Sequence, residues 1–250
     1  MDNHGHIVNN VAEVRGRIAA AAARAGRNPD DITLVAVTKT RTPEEMAAAV
    51  EAGCVDLGEN RVQEYLEKRE KTQHLAENSQ KFQKNLNIRW HLIGHLQRNK
   101  VKYIADGVSL IHSVDSFRLA EEIETRAAAL ERRIEVLLQL NPAGETQKSG
   151  VAPQEAEALA LEIAGSLPHV AVTGLMAVVP IAEDPEEVRG LFREVRALYD
   201  ALRERHTNVP DGALPEFRRL SMGMTHDFEV AVEEGATIVR VGTGIFGARV

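Results

Sequence analysis

The chain holds 250 residues, 44% hydrophobic and 4% aromatic, with a formal net charge of −7 and a pI near 5.8, enough apolar material for one α/β barrel or two small domains. Its basic residues are dispersed, which argues against a nucleic-acid partner, and no run approaches the roughly 18 apolar residues of a membrane span. Cys54 has no cysteine partner and the polar start Met1-Asp2-Asn3-His4-Gly5-His6 is unlike a signal peptide, so a soluble, cytoplasmic protein is expected.

The first predicted element is a helix over about 8–25. The run Ile32-Thr33-Leu34-Val35-Ala36-Val37-Thr38 then predicts a strand over 32–39 that ends on Lys39. Thr42-Pro43-Glu44-Glu45 supplies an N-cap, a proline at the first helical position and a glutamate that closes a capping box. A strand over 55–58 is followed by a polar segment at about 72–87, read as a long helix end or a surface loop. Strands over 88–94 and 109–114 bracket a segment with Lys100 and Lys102 that reads as helix, and Asp115 caps a helix over 116–130. The fifth strand spans 134–140, Glu145-Thr146-Gln147-Lys148-Ser149-Gly150 reads as a turn with an ion pair or as a lid, and Ala152-Pro153 opens a helix over 153–165. After a strand over 170–178, Asp184-Pro185-Glu186-Glu187 starts a helix whose Val188, Leu191, Phe192, Val195, Tyr199 and Leu202 share one face. Strands over 217–221 and 237–241 complete the set.

Eight strands alternating with eight helices imply parallel strands with right-handed crossovers, and eight units close a (β/α)8 TIM barrel. An open doubly wound sheet is the alternative. The order is rotated: a helix precedes the first strand and would cover the place usually filled by an eighth. No linker rich in Pro, Gly or Ser divides the chain, which is read as one domain over 1–250.

In such a barrel the active site forms where strands end and loops begin. Those positions hold Lys39, Glu59-Asn60, Gly94-His95, Ser113 to Asp115, Asn141, Met176, Ser221-Met222-Gly223-Met224 and Arg240-Val241-Gly242-Thr243. A lysine delivered by a buried strand is partly stripped of water, which lowers its pKa and frees a nucleophilic amine; the bland alternative is a lysine that snorkels to solvent. The last two clusters follow strands seven and eight, where barrels build phosphate sites from backbone N–H groups, and Ser221 and Thr243 add hydroxyls. A lysine imine on one side of the mouth and a phosphate cradle on the other describe how a barrel holds pyridoxal 5′-phosphate. Arg240 lies within the apolar run Ile238-Val239-Arg240-Val241 and requires a partner: the cofactor's ring nitrogen, its phosphate, or an ion pair with Glu59 or Asp227.

Other candidates are weaker. His91 and His95 are expected on one face of a strand without a third ligand, so no metal site is read. Cys54 lacks a paired His base, and Ser221 shows no Asp-His relay of a hydrolase. A phosphosugar enzyme without cofactor would need a carboxylate pair at the mouth, for which only Glu59 and Asp115 offer themselves.

Over about residues 30 to 250 the chain resembles the YggS/PROSC family of pyridoxal phosphate homeostasis proteins. The matching motifs are Ala36-Val37-Thr38-Lys39-Thr40, Leu57-Gly58-Glu59-Asn60-Arg61-Val62-Gln63-Glu64 and Trp90-His91-Leu92-Ile93-Gly94-His95-Leu96-Gln97-Arg98-Asn99-Lys100. Further matches are Gln139-Leu140-Asn141 with Glu145, Lys148 and Gly150, Gly174-Leu175-Met176, Leu220-Ser221-Met222-Gly223-Met224, and Val239-Arg240-Val241-Gly242-Thr243 with Ile245-Phe246-Gly247. The resemblance implies a fold type III barrel like the N-terminal part of alanine racemase, without its second, β-rich domain. It implies that Lys39 carries pyridoxal phosphate as an internal aldimine, that Ser221, Gly223, Gly242 and Thr243 contact the phosphate, and that Met224 belongs to the cofactor site. Asn60, Asn141, Met176 and Arg240 would lie around the ring. One departure stands out: the family's common Gly-Met-Ser-x-Asp here reads Gly223-Met224-Thr225-His226-Asp227, with His226 either beside the phosphate or facing solvent.

The function expected from the resemblance is non-enzymatic: a protein that holds pyridoxal phosphate reversibly and limits the free aldehyde, with pyridoxal-phosphate-dependent apoenzymes as partners. The alternative is an amino-acid racemase or lyase. Racemisation needs an acid/base group on each face of the substrate carbon, and Tyr65, Tyr103 and Tyr199 are all expected in helices away from the strand ends. A monomer is expected, because the missing racemase domain makes much of that enzyme's dimer contact.

Overall fold

Strands rich in Val, Ile and Leu and buried on both faces suit a parallel sheet, and here such runs close into a barrel. The computed structural model describes residues 4–78, 88–142, 144, 149–207 and 212–248. The strands are β1 (Thr33–Val37), β2 (Asp56–Glu59), β3 (Arg89–Leu92), β4 (Val108–Val114), β5 (Ile134–Leu140), β6 (Val170–Ala177), β7 (Arg219–Met224) and β8 (Ile238–Val241). They pair in sequence order, and β8 returns onto β1 in parallel, with Thr33 opposite Ile238 and Ala36 opposite Val241. The sheet is therefore closed, as the count of eight units implied, and the open doubly wound arrangement does not occur.

The first helix, Gly5–Arg24, buries Ile7, Val11, Val14, Ile18, Ala21 and Ala22 along one stripe. It packs against the helices Pro43–Glu51, Phe228–Glu233 and Thr243–Phe246, and Arg17 and Arg24 reach Glu229 and Glu233 at 3.1 and 2.6 Å. Only the short turn Thr243–Phe246 follows β8 among the described residues, so the chain's opening helix covers the outer face there. Each of its large aliphatic side chains, buried fully, contributes about 1.5–3 kcal/mol. The helix Pro43–Glu51 starts on a complete capping box: Thr42 Oγ1 accepts from Glu45 N at 3.2 Å, and Glu45 Oε2 accepts from Thr42 N at 2.8 Å.

One expectation is made specific and two need correction. The segment between β3 and β4 forms a 3-10 helix, Arg98–Tyr103, since Val101 is its single buried residue and no amphipathic stripe is available for an α-helix. Strand β3 stops at Leu92 and the chain turns at Gly94, where a Cβ would fall 2.3 Å from the Asn60 carbonyl oxygen; His91 and His95 therefore do not share a strand face. Strand β7 runs on to Met224 through an irregularity after Ser221, because Gly223 takes a φ of +89° that lets the strand bend under the next helix. The polar stretch at 72–87 continues the helix Val62–Asn78 as far as the structure describes it; residues 79–87 lie outside the described residues, as do 145–148 of the expected lid or turn.

Apolar material divides into a large layer between barrel and helices and a small cluster inside the barrel, Val35, Leu110, Leu137, Met176 and Ile238. Branched hydrophobics usually fill such an interior. Here Asp56, His91, His112, Ser221 and Arg240 form a buried hydrogen-bonded chain alongside that cluster. Among the described residues no helix is long and apolar enough to cross a membrane.

Candidate functional site

At the ends of β1, β2, β3, β7 and β8 lies a cavity of about 460 Å³. Lys39, Asn60, Met224, Arg240, Gly242 and Thr243 line it, with Val37, Ile93 and Val178 as apolar wall and Ile181, Thr225, His226 and Asp227 at its other side. Strand-end logic thus brings most of the expected residues together. Met176 lies beneath them in the inner apolar cluster, Ser221 lies buried between His112 and Arg240, and Asn141 follows the end of β5. Gly223 has a packing reason of its own, since a Cβ there would sit 2.5 Å from Ala231 Cβ.

Lys39 is half-buried, two residues beyond the end of β1. The backbone on either side of it is pinned. Thr38 N donates to Gly58 O at 3.0 Å, Thr38 Oγ1 donates to Glu59 Oε1 at 2.6 Å, and Lys68 Nζ donates both to the Thr38 carbonyl at 2.5 Å and to Glu59 Oε1 at 2.7 Å. On the far side Thr40, at a φ of +65°, donates its N–H to Glu64 Oε2 at 2.7 Å. Burial pushes the Glu59 carboxyl up, against the charge and hydrogen bond of Lys68. Lys68 lies in a helix rich in Glu, Lys and Arg, yet its side chain is 8% exposed, because the helix Val62–Asn78 turns it inward onto the end of β1.

Arg240 sits inside the barrel on β8. Its Nη1 donates to Ser221 Oγ at 2.6 Å and its Nη2 to the Ala177 carbonyl at 3.0 Å. Burial pushes the guanidinium down to about 10, with the charge of Asp227 opposing, so it stays cationic at neutral pH. Glu59 pairs with Lys68 and not with Arg240. Asp227 accepts from Met224 N at 2.6 Å, which shapes the turn at the end of β7, and burial raises its carboxyl despite that bond. Thr225 Oγ1 accepts from the N–H groups of Gly242 and Gly244 at 3.2 and 3.4 Å, tying that turn to the one after β8. His226 is exposed and donates from Nε2 to the Glu183 carbonyl at 3.2 Å, bridging to the loop after β6.

Ser221 does carry a relay that the sequence concealed: its Oγ meets His112, which meets His91, which meets Asp56. The hydroxyl is wholly buried and also accepts from Arg240, so it is no hydrolase nucleophile. His95 is 57% exposed and stands 3.9 Å from Asp115, apart from the cavity lining. Neither Glu59 nor Asp115 lines the mouth cavity. Cys54 is buried, and burial pushes its thiol up. Among the described residues no three His, Cys, Asp or Glu side chains form a metal-binding group.

The cavity suits a small planar aldehyde bearing a phosphate. Asn60 Oδ1 is buried there without a hydrogen-bond partner, the kind of orphan a polar ligand would satisfy. Val37, Ile93 and Val178 offer apolar surface for a ring, Lys39 an amine, and Gly242 leaves ordinary room, its Cβ position being 3.5 Å from Val37 Cβ.

Residues 9–250 match the family model described as the alanine racemase N-terminal domain. The chain is similar to a pyridoxal phosphate homeostasis protein of Aquifex aeolicus, 46% identical over 239 residues that cover 96% of each chain. Among solved structures it resembles an unknown protein of Bifidobacterium adolescentis, with a TM-score of 0.86, 40% identity, and coverage of 96% of this chain and 94% of that one. It also resembles PipY of Synechococcus elongatus solved with PLP bound, with a TM-score of 0.74, 33% identity, and coverage of 92% and 100%.

Proposed function

The chain belongs to the alanine racemase N-terminal domain family and, within it, to the pyridoxal phosphate homeostasis proteins, and we propose that it holds pyridoxal 5′-phosphate in the mouth cavity by reversible covalent attachment to Lys39. In this role it limits the free reactive aldehyde and serves pyridoxal phosphate homeostasis. When bound, the cofactor supplies an electrophilic aldehyde and an electron-withdrawing ring. The chain's own residues do the rest. Lys39 provides the amine, Asn60 offers its orphaned amide oxygen, Gly242 and Thr243 receive the phosphate, and Arg240 holds a fixed positive charge beside the ring. Met224 shares the cavity wall, while Met176, Ser221 and Gly223 support it from beneath, and Asn141 stands just past the end of β5.

The observation that carries this reading is the convergence of Lys39, the unpartnered Asn60 oxygen and the turn at Gly242 and Thr243 on one cavity. Borohydride reduction of the cofactor-loaded protein, followed by peptide mass mapping, should place a pyridoxyl phosphate on Lys39. A Lys39→Ala variant that retains reducible, covalently held cofactor at full stoichiometry would overturn the assignment.

We read the chain as one domain working as a cytoplasmic monomer that exchanges cofactor with apoenzymes; the matched family model is the N-terminal domain alone, which supports the single unit. Tyr65 and Tyr199 are buried in the helical layer and Tyr103 ends the 3-10 helix, so none of the three lines the cavity as a second acid/base group. The racemase or lyase alternative has its own test. Substantial turnover of amino acids, abolished by Lys39→Ala, would replace the carrier reading with an enzymatic one.

A further inference from the structure

A polar chain crosses the barrel interior from the N-terminal ends of the strands to the mouth. Arg240 Nη1 lies 2.6 Å from Ser221 Oγ, and His112 Nδ1 lies 3.0 Å from that same oxygen. His112 Nε2 is 2.9 Å from His91 Nδ1, and His91 Nε2 is 2.9 Å from Asp56 Oδ1. All five residues are buried. At the far end Asp56 accepts from Arg89 Nε at 2.7 Å, and the Arg89 side chain is 54% exposed, so this end reaches solvent beside a cavity of about 280 Å³.

The carboxylate end sets the direction of every bond when both rings are neutral. Asp56 only accepts, so His91 donates from Nε2 and leaves its Nδ1 bare. His112 must then donate from Nε2 into that nitrogen, and its own bare Nδ1 takes the Ser221 hydroxyl proton, while Ser221 Oγ accepts from Arg240, a guanidinium that only donates. Both neutral rings are thereby Nε2–H tautomers. An extra proton on His91 would set two donors head to head unless His112 changed tautomer and turned an Nδ1–H onto Ser221 Oγ. Burial, with the nearby charges of Arg240 and Arg219, holds His112 well below the ordinary histidine range. At the other end, burial pushes Asp56 up but the hydrogen bonds from His91 and Arg89 outweigh it, so the carboxylate is held below its ordinary value. Both directions agree with an anion at the Asp56 end and a neutral His112 within the chain.

We propose that Arg240, Ser221, His112, His91 and Asp56 form a one-way hydrogen-bond relay that fixes the guanidinium at the mouth, with His112 and His91 as positioning residues and Asp56 as the distant anchor. The mouth end rests on the cofactor reading above; the direction of the relay does not. Satisfied chains of this kind are stronger than isolated bonds, because each donor polarises the next. The relay therefore makes Arg240 sensitive to a residue on the opposite side of the barrel.

Long-range nitrogen–proton correlation spectra of protein labelled with nitrogen-15 at histidine distinguish protonated from bare ring nitrogens. At neutral pH, without added cofactor, both His91 and His112 should show a protonated Nε2 and a bare Nδ1. Either ring appearing as the Nδ1–H tautomer or as imidazolium would overturn the relay. The Asp56→Ala variant should mix tautomers at His91 and His112 and, in cofactor-loaded protein, displace the absorption maximum of the bound chromophore, although Asp56 does not line the mouth cavity. Asp56→Asn, whose side-chain carbonyl can still accept from His91 Nε2, should restore both signals. Unchanged tautomers in Asp56→Ala would sink the proposal, and the wild-type spectrum decides it even if that variant fails to fold. Absence of cofactor from wild-type protein with the expected tautomers would defeat the mouth reading alone.

Discussion

The two flanks of the mouth hold their key side chains by opposite means. On the β1–β2 flank the fixed element is backbone: Thr38 and Thr40 are pinned by Glu59, Lys68 and Glu64, and the buried ion pair doing so lies behind the barrel wall. On the β7–β8 flank the fixed element is a side chain: the Arg240 guanidinium is gripped by Ser221 and the Ala177 carbonyl inside the barrel. The difference follows from what each group has to do under the proposed function. An amine that bonds and releases a carbonyl must swing at its tip, so precision is invested in its Cα position. A charge that only sets the field beside a ring works best when it does not move at all.

The first way to break this comparison is to remove the ion pair. Replacing Lys68 by Met strands the buried Glu59 carboxylate, whose side chain is fully buried, and should cost about 3–5 kcal/mol in thermal or denaturant unfolding. The double variant Lys68→Met with Glu59→Gln should recover a large part of that loss, because no uncompensated charge remains. A single Lys68→Met variant with wild-type stability would mean that the pair does not hold the β1 end. The second test falls on the other flank. Gly223→Ala places a side chain at a φ of +89° and a Cβ 2.5 Å from Ala231 Cβ; left-handed strain and overpacking together predict a loss of about 1–3 kcal/mol or more. Its effect should appear as lowered stability, with the site's Lys39 flank intact, as read by borohydride labelling of the folded fraction.

How much of this was legible in the sequence differs between the flanks for physical reasons. Lys39, Gly242 and Thr243 could be found because a strand end in a barrel is a position, and position follows from the β-branched run and its punctuation. Thr42 and Glu45 could be found because a capping box is local chemistry, complete within four residues. Lys68 could not be placed, since a helix so rich in Glu, Lys and Arg reads as solvated and only packing against β1 and β2 shows which lysine turns inward. His112 was likewise silent. It stands in β4 between Ile111 and Ser113, and its partners come from β3 and β7, so its role exists only once the barrel has closed. The end of β7 was drawn short because Gly223 reads as a turn, whereas here its φ bends a strand that continues.

The smallest expected effect separates positioning from mere stability on the lysine flank. Thr42 caps the helix Pro43–Glu51 just beyond the pinned segment, accepting from Glu45 N at 3.2 Å. Thr42→Ala removes that acceptor and half of the capping box, a loss of about 1 kcal/mol in unfolding free energy. The pins on Thr38 and Thr40 do not pass through Thr42: they run to Gly58, Glu59, Glu64 and Lys68, which belong to β2 and the helix after it. The extent of Lys39 labelling by cofactor and borohydride should therefore match wild type in Thr42→Ala, even as the melting temperature falls. If labelling fell in proportion to the lost stability, the Cα of Lys39 would owe its place to the helix that follows it and not to the ion pair behind the wall, and the contrast between the two flanks would disappear.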